Sequence, residues 1–285
     1  MSIQQLMLGV GASKKTYMDD VFSTYLWAGS ASSRSINNGI DLSTEGGLVW
    51  TKRRDNTGKH MLFDTTRGVS KNIRSDDSAA EVTETNTLTT FNSNGFSLGT
   101  DDLINGTSRT YAGWSFRKVP GFFDIVTYTG TGSAQSISHS LGSVPGVVMV
   151  KNLSNSQSWA VYHRQLNGGV NPGQYYLQLN QSMEIQSATS RFNDTAPTSS
   201  VFTVGTATNT NSDGDNYVAY LFAGGESTAA TARAVDFDGS DDYLSIVASS
   251  DFEFGTGDFT FEWWQWLEDT TAVGPFTLGL SLIHI

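Results

Sequence analysis

Four pairs of segments in this 285-residue chain match in the same order at near-constant spacing, and that internal duplication limits the fold more than any other feature. "GGLVWTK" (Gly46–Lys52) pairs with "PGVVMVK" (Pro145–Lys151), and "HMLFDTTRG" (His60–Gly68) with "WAVYHRQLNG" (Trp159–Gly168), both at an offset of 99. "GFSLGT" (Gly95–Thr100) pairs with "VFTVGT" (Val201–Thr206), and "TYAGWSFRK" (Thr110–Lys118) with "NYVAYLFAG" (Asn216–Gly224), both at an offset of 106. The matches define two tandem repeats, 20–119 and 120–224, preceded by an N-terminal segment 1–19 and joined at "KVPGF". Copies of about 100 residues are large enough to fold alone, although the sequence also permits an interleaved arrangement.

Each repeat reads as all-β. Tyr217, Ala219 and Leu221 alternate with Val218, Tyr220 and Phe222, and the second set corresponds to Ala112, Trp114 and Phe116 of the first repeat. Alternation with period two places that bulky set on one face of a strand, and a strand with both faces partly apolar is expected to be central. Asn94-Gly95 between apolar residues predicts a hairpin. The continuous run "PGVVMVK" predicts a buried strand that Pro145 can only open. The expected fold is two duplicated β-sandwich-like domains.

The composition changes sharply after the second repeat. Residues 1–225 carry 17 acids and 16 Lys or Arg, whereas residues 226–285 carry 11 acids and a single base, Arg233. This marks a further domain and argues against a nucleic-acid partner, because phosphate binding needs a basic stripe. The N-terminal "MSIQQLMLGVGASKK" lacks the charged start and long apolar run of a signal peptide, and no stretch has the length of a membrane span. Without Cys there is no disulfide, thiol nucleophile or Cys metal site.

The segments "YMDDVFSTYLWAG", "GGLVWTKRR", "YAGWSFRKVPGFFDIVTYTGTG" and "SHSLGSVPGVVMVK" together resemble a family of tail or tail-fibre-type structural proteins of marine tailed phages, cyanophages among them. The resemblance spans about residues 3–224 and implies a setting, the virion, with no catalytic residues to carry over. Further on, "VDFDGSDDYLSI" and "FEFGTGDFTFEWW" resemble the opening of laminin-G-like, concanavalin-A-like jelly rolls, Trp263 departing from the small residue usual there. Residues 225–279 are too few for both sheets of such a sandwich, so a truncated jelly roll is expected, its exposed apolar face poorly ordered. The closing "LSLIHI" (Leu280–Ile285) equals one translated frame of a transposon-type sequencing adapter, CTGTCTCTTATACACATC, and native sequence is expected to end near Gly279.

The chemistry candidates each have a plainer alternative. "NTNSDGDN" (Asn209–Asn216) superficially matches a calcium loop, but Tyr220 stands where a bidentate Glu is needed, which favours a solvated turn. Asp236, Asp238, Asp241 and Asp242 also read as turn chemistry before a cation site. Glu253, Asp258 and Glu262 lack the spacing of concanavalin-type glucanases, and His60, His139, His163 and His284 form no metal motif. Trp27 and Trp266 are the aromatics least tied to a strand pattern and the candidates for stacking on a sugar. No catalytic or metal residue and no cofactor is assigned, and no binding residue is fixed.

The expected function is that of a non-enzymatic virion component, a tail fibre or tail-associated protein located in the phage tail. Its C-terminal jelly roll would contact host cell-surface glycan, its other partners would be virion proteins, and by analogy it would be a homotrimer. The alternatives are a fragment of a host-envelope polysaccharide depolymerase whose catalytic part is missing, and a bacterial extracellular adhesin.

Overall fold

A computed structural model divides the chain into two compact units, Met1–Ala232 and Arg233–Ile285, and describes residues 17–225, all within the first. The expected jelly roll and the Leu280–Ile285 tail lie outside the described residues.

After a single helical turn, α1 (Met18–Val21), the first repeat contributes nine strands. These are β1 (Phe22–Ala28), β2 (Arg34–Asn37), β3 (Gly47–Arg53), β4 (His60–Asp64), β5 (Lys71–Arg74), β6 (Val82–Thr83), β7 (Leu88–Asn92), β8 (Gly95–Leu98) and β9 (Thr110–Arg117). They form a large sheet, β1-β9-β3-β4-β5-β6, and a small one, β2-β8-β7. The second repeat supplies β10 (Phe123–Thr129), β11 (Gln135–Ser138), β12 (Pro145–Asn152), β13 (Ala160–His163), β14 (Tyr175–Tyr176), β15 (Gln186–Ser187), β16 (Val201–Val204) and β17 (Asn216–Ala223). Its large sheet is β10-β17-β12-β13, and its small ones are β11-β16 and β14-β15. The order β1-β9-β3-β4 is thus repeated as β10-β17-β12-β13, and β2-β8 as β11-β16. Each copy closes its own antiparallel sandwich, and no strand is exchanged.

The alternation along the last strand of each repeat explains the packing. Tyr217, Ala219 and Leu221 point into the second sandwich, with Val148, Val150, Tyr162 and Phe202. On the equivalent strand of the first repeat, Tyr111 packs inward with Trp27, Val49, Phe63 and Phe96. The bulky set shared by both copies points the other way. Phe116 meets Phe123 and Phe222 at ring-centroid distances of 5.7 and 5.4 Å, and Val218 and Tyr220 join Leu48, Leu62 and Ile73 in a third core. The two large sheets therefore bury their outer faces against one another. A central strand covered on both faces needs apolar residues on both, and β17 supplies them from Tyr217 to Ala223, whereas β9 turns the buried Ser115 inward and leaves Ala112 and Trp114 only half-buried.

Turn details follow local chemistry. The β7–β8 hairpin turns at Ser93-Asn94, one residue earlier than the Asn-Gly pair alone predicts, and Gly95 opens β8 with φ +120°. Pro145 opens β12, and the register shifts between Pro145 and Val147, where its missing N–H interrupts the ladder.

Candidate functional site

The fold buries polar side chains at several points, among them Asp124, which pairs with Lys118 at 2.9 Å and accepts from Ser140 N–H, and three groups of them tie separate elements together. The first is the seam between the repeats. Asp64 ends β4 with no solvent exposure, and the turn that follows brings Arg67 back over it. Arg67 Nε donates to Asp64 Oδ2 at 2.5 Å, Nη1 to Glu81 Oε2 at 3.1 Å, and Nη2 to the Leu62 carbonyl and the Tyr220 hydroxyl at 3.0 and 3.1 Å. Tyr220 reaches across from the second repeat and donates its proton to Asp64 Oδ2 at 2.7 Å. Burial works against the Arg67 charge, yet the oxygens of Tyr220 and Asp64 outweigh it and its pKa is raised. Burial pushes the Tyr220 hydroxyl well above its ordinary range. A guanidinium with four bonds made and the carboxylate it holds, itself bonded by Tyr220, form a clamp that ties β4 of the first repeat to β17 of the second.

The second place is Lys151, which is fully buried on β12. Its Nζ donates to the carbonyls of Gln157 (2.8 Å) and Asn152 (3.2 Å) in its own hairpin and to Ser78 (3.1 Å) of the first repeat. Its counterpart Lys52 similarly donates to Arg53 and Asn56 carbonyls at 2.6 and 3.0 Å, so the two repeats share a lysine that ties their β3–β4 and β12–β13 turns. Burial lowers the Lys151 pKa to about 8, with the Asp77 charge opposing. In the unfolded chain the same group titrates near 10.4, so between these values the unfolded state binds more protons and stability rises with pH. Denaturant unfolding from pH 7.5 to 10.5 is expected to show this rise in the wild type and to lack it in Lys151→Met; parallel curves would refute the assignment.

The third is a pair of polar pins at the ends of the sandwiches. Helical turns α2 (Asp102–Asn105) and α4 (Thr208–Asn211), with α3 (Thr189–Phe192) between them in sequence, each end on a buried Asn. The Asn105 amide donates to the Ser32 and Gly99 carbonyls, and that of Asn211 to Ser133 and Gly205. Six residues later, the Tyr111 hydroxyl donates to the Asp102 carbonyl and accepts from Gly106 N–H. Tyr217 does the same with the Thr208 carbonyl and Ser212 N–H. Gly29 and Gly130 sit against these turns, and a Cβ at either would collide with the carbonyl of Gly106 or Ser212. The shared Asn-x5-Tyr spacing was the available signal for the pins.

The sequence-derived candidates are scattered. Trp27 is 5% exposed, donates its Nε1–H to the Ile104 carbonyl at 2.9 Å and stacks on Tyr111, so it is core and cannot stack on a sugar. In the Asn209–Asn216 stretch, Asn209, Thr210 and Asn211 are buried; only its second half is the solvated turn expected. Asp215 accepts from Asn152 and Asn155, both at 2.8 Å. His60 lies on β4 beside Trp50, His139 follows β11, and His163 ends β13 with Nδ1 accepting from Gln165 N–H. Among the described residues no three His, Cys, Asp or Glu side chains are grouped to hold a metal ion. Trp266, His284 and the acids from Asp236 to Glu262 lie outside the described residues.

Shared pins, shared lysines and a buried clamp belong to a duplicated all-β scaffold. The chain belongs to the family described as Domain of unknown function (DUF7483), whose model matches residues 18–122 and again 119–231. Neither the curated proteins nor the solved structures include a match to it. Among the described residues no helix is long and apolar enough to cross a membrane.

Proposed function

We propose that this protein is a non-enzymatic structural component of a phage tail, in which the fused repeats form a rigid spacer and the chain contributes to contact with host-surface glycan. The observation that carries this reading is the use made of buried polar groups: the clamp, the lysine cages and the pins are all spent on holding backbone and repeats together. The phage-tail setting comes from the sequence resemblance, and glycan contact from the jelly-roll resemblance further along the chain. An antibody raised against the purified chain is expected to decorate the tails of intact particles that encode it. Its absence from purified particles would overturn the reading, as would sugar release from host envelope by the chain, which would favour a depolymerase. Secretion by bacterial cells would favour an adhesin.

A further inference from the structure

The seam between the large sheets does not close along its whole length. On the outer face of β10, Phe123 and Ile125 are buried, but the next two residues of that face, Thr127 and Thr129, are exposed. There the sheets part into a cleft of about 420 Å³. This volume lies within the roughly 300–1,000 Å³ range of small-molecule sites.

The second repeat lines the cleft with hydroxyl and amide groups. Thr129 Oγ1 donates to Asn216 Oδ1 at 3.3 Å, and Ser154 Oγ accepts from the Asn216 N–H at 2.9 Å. The first repeat supplies Lys71 and Glu81, paired at 3.4 Å, with Arg67 behind them. Charge decides the ligand class. Arg67 and Lys71 are offset by Asp64 and Glu81, and Arg67 has already committed four N–H bonds. A phosphate or carboxylate ligand would need uncommitted positive charge, and a cation would need an excess of acids; the cleft has neither. What it offers is a dense set of neutral donors and acceptors, with one ammonium and one carboxylate of balanced charge. That set suits the hydroxyls of a neutral sugar.

The duplication provides an internal control. The pairing registers align Thr127 with Leu26 and Thr129 with Ala28, and the 99-residue offset aligns Ser154 with Asp55. The first repeat therefore lacks this hydroxyl wall, although its strand has the same length and partners. The hydroxyls are not required by the fold.

We propose that this cleft binds neutral pyranose units of a surface polysaccharide, a reading that rests on the glycan-contact function above and moves part of it onto the repeats. The test is binding of the full chain to an array of immobilised oligosaccharides, neutral (hexose and N-acetylhexosamine) and acidic (uronic-acid-containing). Thr127 is exposed on an edge strand, where Trp is well tolerated, so Thr127→Trp fills the cleft without costing the fold. The wild type is expected to bind, Thr127→Trp to lose about tenfold or more in affinity, and Thr127→Ser to stay within about threefold. Full-length Trp264→Ala/Trp266→Ala, which removes the sugar-stacking candidate of the C-terminal segment, is expected to keep the share of binding that Thr127→Trp removes. Undiminished binding by Thr127→Trp overturns the cleft; if Trp264→Ala/Trp266→Ala then loses binding, glycan contact stands but belongs to the C-terminal segment. Binding of acidic oligosaccharides alone, or of none, also overturns the cleft, while tail decoration judges the proposed function separately.

Discussion

Asp64→Ala is expected to destabilise the paired repeats by about 3–5 kcal/mol, because it strands a buried guanidinium. Arg67 has a side chain only 3% exposed, and its shortest bond is to Asp64. Removing that carboxylate leaves Glu81 as its remaining acid, and Glu81 is shared with Lys71. In a unit of this size the loss corresponds to a fall in Tm on the order of 10 °C. The clamp is a buried ion pair, and such pairs are costly to break yet contribute little net stability over an apolar replacement. Asp64→Leu/Arg67→Met/Tyr220→Phe, which removes the charges and the hydroxyl together, is therefore expected to recover most of the loss. Thermal and denaturant unfolding of the single and triple variants check this. A single variant within about 1 kcal/mol of the wild type would show that Arg67 finds other partners, whereas an unrecovered triple variant would show that the clamp contributes more than charge compensation.

The clamp also marks where the sequence stops being informative. The duplication, the all-β class and the strand faces were legible, because the 99 and 106 offsets and the period-two alternation are local patterns. Val218, Tyr220 and Phe222 were visible as an apolar face, but what covers that face is a relation between two copies and leaves no periodicity. Asp64 corresponds to His163 in the second repeat, so the comparison that reveals the fold discards the residue that joins its halves. Trp27 shows the opposite failure. It looked unconstrained because its partners, Tyr111 and the Ile104 carbonyl, lie 84 and 77 residues away. The cleft was written in "FDIVTYT", where one face changes from Phe123 and Ile125 to Thr127 and Thr129. That change signifies a site only once the facing sheet is known to end there.

Asn211→Ala is expected to cost about 2–4 kcal/mol, and Asn105→Ala a similar amount, since each amide satisfies several backbone groups at the end of its sandwich. Asn211 donates to Ser133 and Gly205 carbonyls at 2.6 Å and accepts from Thr131 N–H at 2.9 Å and Gln135 Nε2 at 2.7 Å. Ser133 and Thr131 are exposed and can turn to water, but Gly205 is buried and its carbonyl has no such recourse. The identity of the amide matters more than its size. Asn211→Asp keeps the shape but sets a carboxylate against two carbonyl oxygens, so it is expected to be no better than Ala at neutral pH. Because the repeats share the third core, damage to the second sandwich should appear in one cooperative transition of the whole pair. Denaturant unfolding followed by Trp fluorescence checks both points, since Trp27 reports on the first sandwich and Trp159 on the seam. If Asn211→Ala instead produced two separate transitions, the second repeat melting first, the outer faces would not couple the sandwiches. The rigid-spacer role assigned to the pair would then fail with them.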